Sequence, residues 1–334
     1  MKLSVIYRAW RHTWTVAALC MIAILTCPFG AWAQSAYPSK PVRLIVPFAP
    51  GGVTDLMARL VAERMSRSLG QSMFVENRAG ASGNIGASAV ASAPPDGYTL
   101  LLGFDGTLVI NPHLLDKVPF DSVKDFDPIG RIGYSVSMLV AHPSTPAKTL
   151  AEVIALSKAT AGGLSYGTSG AGGSMHLAGE LLKQRSGANL VHVPFKGSAP
   201  ATLAVVAGEI PIALVAIGGA QAHLRSGKLT PIAVPAGRRS ASFPNVATFM
   251  ESGIADYSIA SWFGILTAAR SPRVILDRLS SELNTILKDP EIVNRLAAMD
   301  VAAAPGSPDE FAEEIRRDLG RFGAIVKSAA LKNN

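Results

Sequence analysis

Short apolar runs, each ending in a loop that feeds a helical pattern, constrain this chain more than any other feature. Val42-Arg43-Leu44-Ile45-Val46 reads as a strand that stops at Pro47. It passes through Phe48-Ala49-Pro50-Gly51-Gly52 into a helix that carries Leu56, Leu60, Val61, Met65 and Leu69 on one face and stops at Gly70. Met73-Phe74-Val75-Glu76 is the next strand, followed by a glycine-rich loop over 79–83 and a small-residue helix over Asn84–Ala91. Pro94-Pro95-Asp96-Gly97 is a turn, 98–104 a buried strand, and Asp105-Gly106-Thr107 the cap of another helix. Strands alternating with helices predict an α/β fold with parallel sheets.

The alternation restarts beyond residue 140. Helix Leu150–Ala159 leads to strand 164–167, a loop from Thr168 to Gly173, and helix 174–185. Strand Leu190–Pro194, loop Phe195-Lys196-Gly197-Ser198, helix 200–207, and strands Ile212–Ala216 and 231–234 complete this block. Near Ser271 the chain becomes charged and helical, with amphipathic stretches at 274–287 and 290–299. Ser307-Pro308-Asp309-Glu310 opens a last helix, with serine at the cap, proline first and an acid third. Apolar segments 132–141 and 257–266 read as crossings between two lobes. Lobe one is then 36–136 plus 262–334, and lobe two is 137–261.

Residues 1–33 read as an export signal. Lys2, Arg8 and Arg11 form a positive start, and the apolar run from Thr15 to Leu25 falls short of the ~20 residues that a bilayer requires. Ala31-Trp32-Ala33 places the cut after Ala33. Cys20 and Cys27 leave with the signal, so the exported chain has no disulfide, thiolate chemistry or cysteine-held metal. Removing Lys2, Arg8 and Arg11 from the 31 basic residues leaves 28 against 24 acidic ones, a net charge of +4. That mild balance suits a small anionic ligand better than a nucleic acid. With 49% apolar and 16% charged residues, the chain is not disordered. The expected location is the periplasm.

In doubly wound sheets, ligands sit at loops feeding helix N-termini, where unpaired N–H groups hold anions. Four loops qualify. Pro50, Gly51, Gly52, Thr54 and Asp55 come from the first, and Asp105 and Thr107 from the second. Thr168, Ser169, Ser174 and His176 come from the third, and Lys196 and Gly197 from the fourth. Glycine admits close approach of a ligand, and the hydroxyls add neutral donors. Enzyme signatures are incomplete. Gly167-Thr168-Ser169-Gly170-Ala171 lacks the last glycine of a nucleophile elbow, Met175 replaces the third glycine of a dinucleotide fingerprint, and no phosphate-binding loop occurs. The histidines are scattered without metal-ligand spacing. Ser174 and His176 alone keep a hydrolase reading open.

Several blocks together resemble the Bug-type receptors, the extracytoplasmic solute-binding proteins of tripartite tricarboxylate transporters. They are Pro47-Phe48-Ala49-Pro50-Gly51-Gly52-x-x-Asp55-x-x-Ala58-Arg59, Val75-Glu76-Asn77-Arg78-x-Gly80-x-x-Gly83-Asn84-Ile85-Gly86 and Pro95-Asp96-Gly97-Tyr98-Thr99-Leu100. Tyr166-Gly167-Thr168-Ser169-Gly170, His176-Leu177, Val193-Pro194-Phe195-Lys196-Gly197 and Ser261-Trp262-Phe263-Gly264 follow. The resemblance implies a two-lobed class 2 periplasmic binding protein, a flytrap with its ligand cleft between the lobes. It implies a small carboxylate ligand (di- or tricarboxylate, or aromatic acid), the membrane subunits of a tripartite tricarboxylate transporter as partners, no cofactor, no metal, no nucleic acid, no catalysis and a monomer. A sensor feeding a signalling partner is the other reading of such a receptor. Val53 departs from the family's usual Ser, Pro or Gly, and 210–219 lacks the polar or acidic residue often found there. That absence points away from an amine-bearing ligand.

Overall fold

The computed structural model describes residues 37–255, 257, 259 and 261–328. The signal segment and both cysteines lie outside the described residues. β1 (Val42–Val46), β2 (Met73–Asn77), β3 (Thr99–Phe104), β4 (Phe126–Ser135), β10 (Ser261–Ala268) and β11 (Val301–Ala303) form one sheet in the order β11-β4-β10-β3-β1-β2. β5 (Ser137–Ala141), β6 (Leu164–Thr168), β7 (Leu190–Pro194), β8 (Ile212–Ala216) and β9 (Thr230–Ala233) form the second, in the order β7-β6-β8-β5-β9. All eleven fall within the unit Lys40–Asn334. The architecture is a two-lobed α/β fold. Only Val136 separates β4 from β5, which belong to different sheets.

Neither sheet is purely parallel. β1 runs parallel to β2 and β3, and β6 parallel to β7 and β8, as strand–helix–strand units require. β10 runs antiparallel to β3 and β4, and β5 antiparallel to β8 and β9. The reason is topological: a strand arriving from the other sheet has no helical crossover to turn it round. β3, β5, β8 and β10 are buried along their whole length, which explains their near-continuous apolar sequences.

The helices are α1 (Val53–Leu69), α2 (Asn84–Ala91), α3 (Asn111–Leu114), α4 (Leu150–Ala159), α5 (Gly173–Ser186) and α6 (Ser198–Val206). α7 (Ile217–Arg225), α8 (Arg273–Ile286), α9 (Pro290–Ala298) and α10 (Pro308–Ser328) follow. α1 buries Val53, Met57, Leu60, Val61, Met65 and Leu69, but Leu56 turns out to solvent and is 40% exposed. α7 and β11 are not legible as such in the sequence. Gly218-Gly219 argues against a helix locally, yet a Cβ at Gly218 would collide with the Met299 backbone, so close packing selects glycine there.

Helix starts differ by position. Thr149 and Glu152 form a reciprocal capping box on α4, Asp289 caps α9, and Ser307 accepts from the Glu310 N–H at 3.2 Å. The caps of α1, α5, α6 and α7 are Gly52, Gly172, Gly197 and Ala216, none with a side-chain hydrogen bond to the helix. A side-chain cap contributes about 1 kcal/mol. These four helices forgo it, and their first N–H groups stay without a side-chain cap.

Candidate functional site

The start of α1 is held by a carboxylate behind it. Gly51 has φ +87°, a conformation that side chains rarely adopt, so the tight entry to α1 requires glycine. Its N–H donates to Asp55 Oδ2 at 3.1 Å, and Arg59 Nε donates to the same oxygen at 3.0 Å. Asn77 Nδ2 donates to Asp55 Oδ1 at 2.9 Å and to the Phe48 carbonyl at 3.0 Å. Asp55 is buried. Burial pushes its carboxyl up, but the hydrogen bonds from Arg59, Asn77 and Gly51 outweigh this and hold it below the usual range. Asp55 therefore fixes the loop, with both oxygens engaged by Gly51, Arg59 and Asn77.

The third loop is braced by a ring stack. His176 Nδ1 accepts from the Gly172 N–H at 2.9 Å, and its other nitrogen lies 3.8 Å from Glu180. His192 stacks on it at 4.0 Å between centroids and meets Thr168 Oγ1 at 2.7 Å. Burial pushes both imidazoles toward the neutral form, and His192 falls to about 3, helped by His176 and Lys183. Thr168 is fully buried and donates to the Gly170 carbonyl at 2.8 Å. Ser174 accepts a hydrogen bond from Ser261 instead of from His176, so no serine–histidine pair is assembled.

Asp105 and Thr107 do not cap a helix toward the cleft. Asp105 is itself helical, and the chain continues into a wide helical turn over Gly106–Ile110. Thr107 Oγ1 donates to the Ser82 carbonyl at 2.8 Å. Asp105 is wholly buried, and neither oxygen meets a donor at hydrogen-bonding geometry. Burial pushes its carboxyl well above the usual range, and nearby Asp318 adds to that. Gly106 sits where a Cβ would come within 2.8 Å of Gly173 Cα, so the two sheets' loops meet through paired glycines.

The loops enclose a narrow cavity of about 30 Å³. Phe48, Ala49, Gly52, Val53 and Thr54 line it from the start of α1, and Phe104, Ser261 and Phe263 from β3 and β10. Ser135, Val136 and Ser137 line it from the β4–β5 crossing, and Ser169, Met175, Ser198 and Ala216 from the second sheet's loops. Of the residues expected from sequence, Gly52, Thr54 and Ser169 reach this cavity. Pro50, Gly51, Asp55, Asp105, Thr107, Thr168, Ser174, His176, Lys196 and Gly197 do not line it. Lys196 stands at an adjoining cavity of about 230 Å³ that shares Phe48 and Ser169 with the first. Its carbonyl accepts from the Ala49 N–H at 3.1 Å across the cleft. Sequence reasoning missed Ser135, Ser137, Ser198, Ser261 and the three phenylalanines.

Electrostatically the cavity is unusual in having no charged side chain in its lining. It offers six hydroxyls and the starts of α1, α5, α6 and α7, whose peptide N–H groups carry partial positive charge. Such a site can hold one anionic group without a cation.

Comparison with known proteins agrees with this geometry. The model of the tripartite tricarboxylate transporter family receptor matches residues 57–331. Protein BugT of Bordetella pertussis is 33% identical over 318 residues, covering 94% of this chain and 98% of its own. A Rhodopseudomonas palustris structure, Rpa4515 with adipate, superposes with TM-score 0.85 at 31% identity, covering 88% of this chain and 98% of its own. MatC of Rhodopseudomonas palustris with bound malate has TM-score 0.82 at 29% identity, covering 87% and 100%.

Proposed function

Because the chain belongs to the tripartite tricarboxylate transporter receptor family, we propose that it captures one small carboxylate between its lobes and presents it to the membrane subunits of such a transporter. The observation that carries this reading is the convergence of four helix starts without side-chain caps on a cavity lined by neutral hydroxyls. A carboxylate has about four acceptor sites, and peptide N–H and hydroxyl donors satisfy them without a buried ion pair. Adipate in Rpa4515 and malate in MatC are ligands of this kind.

In this reading lobe one is 36–136 plus 262–334 and lobe two is 137–261, hinged at Val136 and the start of β10. Gly52, Thr54, Ser169 and Ser198 hold the carboxylate. Gly51, Asp55, Thr168, Ser174 and His176 hold the loops that present it, and Lys196 guards the mouth. Family members are periplasmic binding proteins. Cleavage after Ala33 delivers this one, as a monomer, to the same compartment. The receptor works by differential contact: the ligand must bind the closed lobes better than the open ones, since only that difference shifts the equilibrium. Catalysis is disfavoured by the geometry, because His176 points its nitrogens at Gly172 and Glu180.

The test is a thermal-shift screen of ligand-stripped protein against di- and tricarboxylates, aromatic acids and acidic amino acids. A carboxylate at 100 times its Kd should add about 2.7 kcal/mol of stability. Silence across every acid by a cooperatively folding protein would overturn the reading.

A further inference from the structure

β3 runs out at Phe104 and delivers an aspartate, Asp105, into the interior. Asp105 is wholly buried. Phe104 stacks on Phe263 at 5.4 Å between centroids, and Gly106 packs against Gly173 at the start of α5. An ionised carboxylate has about four acceptor sites, and away from water it needs donors to fill them. Neither oxygen of Asp105 meets one at hydrogen-bonding geometry. Ser261 and the Gly106 N–H stand beside it. Ser261 has a single proton, and that proton goes to Ser174 Oγ at 3.0 Å. The Ser261 oxygen can still accept.

Charge does not supply what the donors lack. β3 and β10 carry no titratable side chain. α10 brings Asp318 and Arg321, and Asp318 acts on Asp105 more strongly than Arg321 does. Asp318 accepts the Trp262 indole N–H at 2.9 Å and lies 3.5 Å from Arg317. α5 brings His176, which accepts from the Gly172 N–H at 2.9 Å. A carboxyl buried in this way, with a second acid nearby and no donor on either oxygen, keeps its proton. A neutral acid is itself a donor.

The position of that donor gives it a role. Ser261 lines the cavity, and Ser174 lies in the first turn of α5. Their bond joins the β10 edge of the cavity to the start of that helix. An ionised Asp105 would draw the Ser261 proton to itself and break this bond. It would also set a negative charge behind Phe104 and Ser261, which both line the cavity, and so repel an incoming carboxylate.

We propose that Asp105 is a positioning residue for carboxylate capture: it holds its proton, donates it to Ser261, and so keeps Ser261 donating to Ser174 beside the cavity. The proposal rests on the receptor reading above and deepens it. Asp105 acts through Ser261 and does not itself line the cavity.

Difference infrared spectroscopy of the exported protein at neutral pH reads the proton directly. The parent should show the C=O band of a protonated carboxylic acid that Asp105→Asn lacks, and absence of that band would overturn the proposal. Ser261→Ala removes the acceptor, so the band should move. An unmoved band would show that Asp105 does not donate to Ser261. Isothermal titration of refolded, ligand-stripped protein with malate, adipate, citrate and benzoate reads the role in binding. With the tightest of these acids, Asp105→Asn, whose amide still donates, should bind nearly as the parent does. Asp105→Leu, which cannot donate, should lose about tenfold, the cost of leaving a buried polar partner unmatched. Equal losses in both variants, or none in either, would overturn the positioning role. Should Asp105→Leu fail to fold, a loss of about tenfold in Asp105→Asn would overturn it alone. No heat from any of the four acids, with the band present and a cooperative thermal transition intact, would overturn the receptor reading and leave the protonated acid established.

Discussion

Ser261, the first residue of β10 in the first sheet, donates a 3.0 Å hydrogen bond to Ser174 near the start of α5, and so links that sheet's edge of the cavity to the helix on its other side. The pair sits where the chain re-enters the first sheet. A neutral hydrogen bond of this kind contributes about 1 kcal/mol net.

Ser261→Ala should therefore weaken carboxylate affinity about fivefold, the equivalent of that ~1 kcal/mol. Ser174→Ala should cost the same, and the double variant no more than either single one. A double-mutant cycle on Kd measures the coupling. Additive losses would show that the hydroxyls act separately in the bound state.

Asp55→Asn addresses the loop that presents α1. The native carboxyl lies below its usual range, so its contribution is complete above the unfolded value near 4 and is lost as pH falls through the lower native value. The variant should lose about 1–3 kcal/mol at neutral pH, because a charge-assisted set of hydrogen bonds to Gly51 and Arg59 is weakened. It should also show a flatter acid limb in stability against pH. An unchanged acid limb would mean that other carboxylates set it.

Much of the fold is legible in the sequence, and less of the site. β1, β7, β8, α2 and α4 follow directly from apolar runs and periodicity, and the serine cap of α10 from four residues. The loops rich in glycine also announce themselves. The cavity's walls do not, because Ser135, Ser137 and Ser261 lie on strands whose sequences speak only of burial. Pairing of β10 with β4, more than a hundred residues apart, is what brings them to the cleft. Asp105 and Thr107 mislead for the converse reason. They carry loop chemistry in sequence, but the wide turn at Gly106–Ile110 rolls them inward.

The His176–His192 stack predicts acid sensitivity. Both imidazoles titrate below the ordinary histidine value, His192 at about 3. Their neutral forms therefore support the fold fully above about pH 6.5, the unfolded value, and stability falls as pH drops toward the native values. Tm should decline between pH 6.5 and 4 more steeply than carboxylates alone would cause. His192→Gln should flatten that decline while keeping a polar partner for Thr168. The same slope in both proteins would place the acid sensitivity elsewhere.

Gly52→Asp separates helix capping from ligand binding. Gly52 is extended, with φ −80° and ψ 168°, so a side chain fits its backbone. A Cβ there would lie 3.8 Å from Ala199 N, an ordinary contact. Aspartate is a favoured cap, a few tenths of a kcal/mol better than glycine, and its carboxylate would take the N–H groups at the start of α1. The variant should fold as stably as the parent or slightly more so. Its carboxylate would also occupy the place of the ligand's own, with the same charge. Affinity should fall at least 100-fold, read by titration with the tightest acid from the screen. A stable Gly52→Asp protein that binds as the parent does would show that the start of α1 does not hold the anion. The carboxylate would then have to be assigned to the starts of α5, α6 and α7, whereas a loss of affinity in a variant that folds as stably as the parent could not be blamed on unfolding.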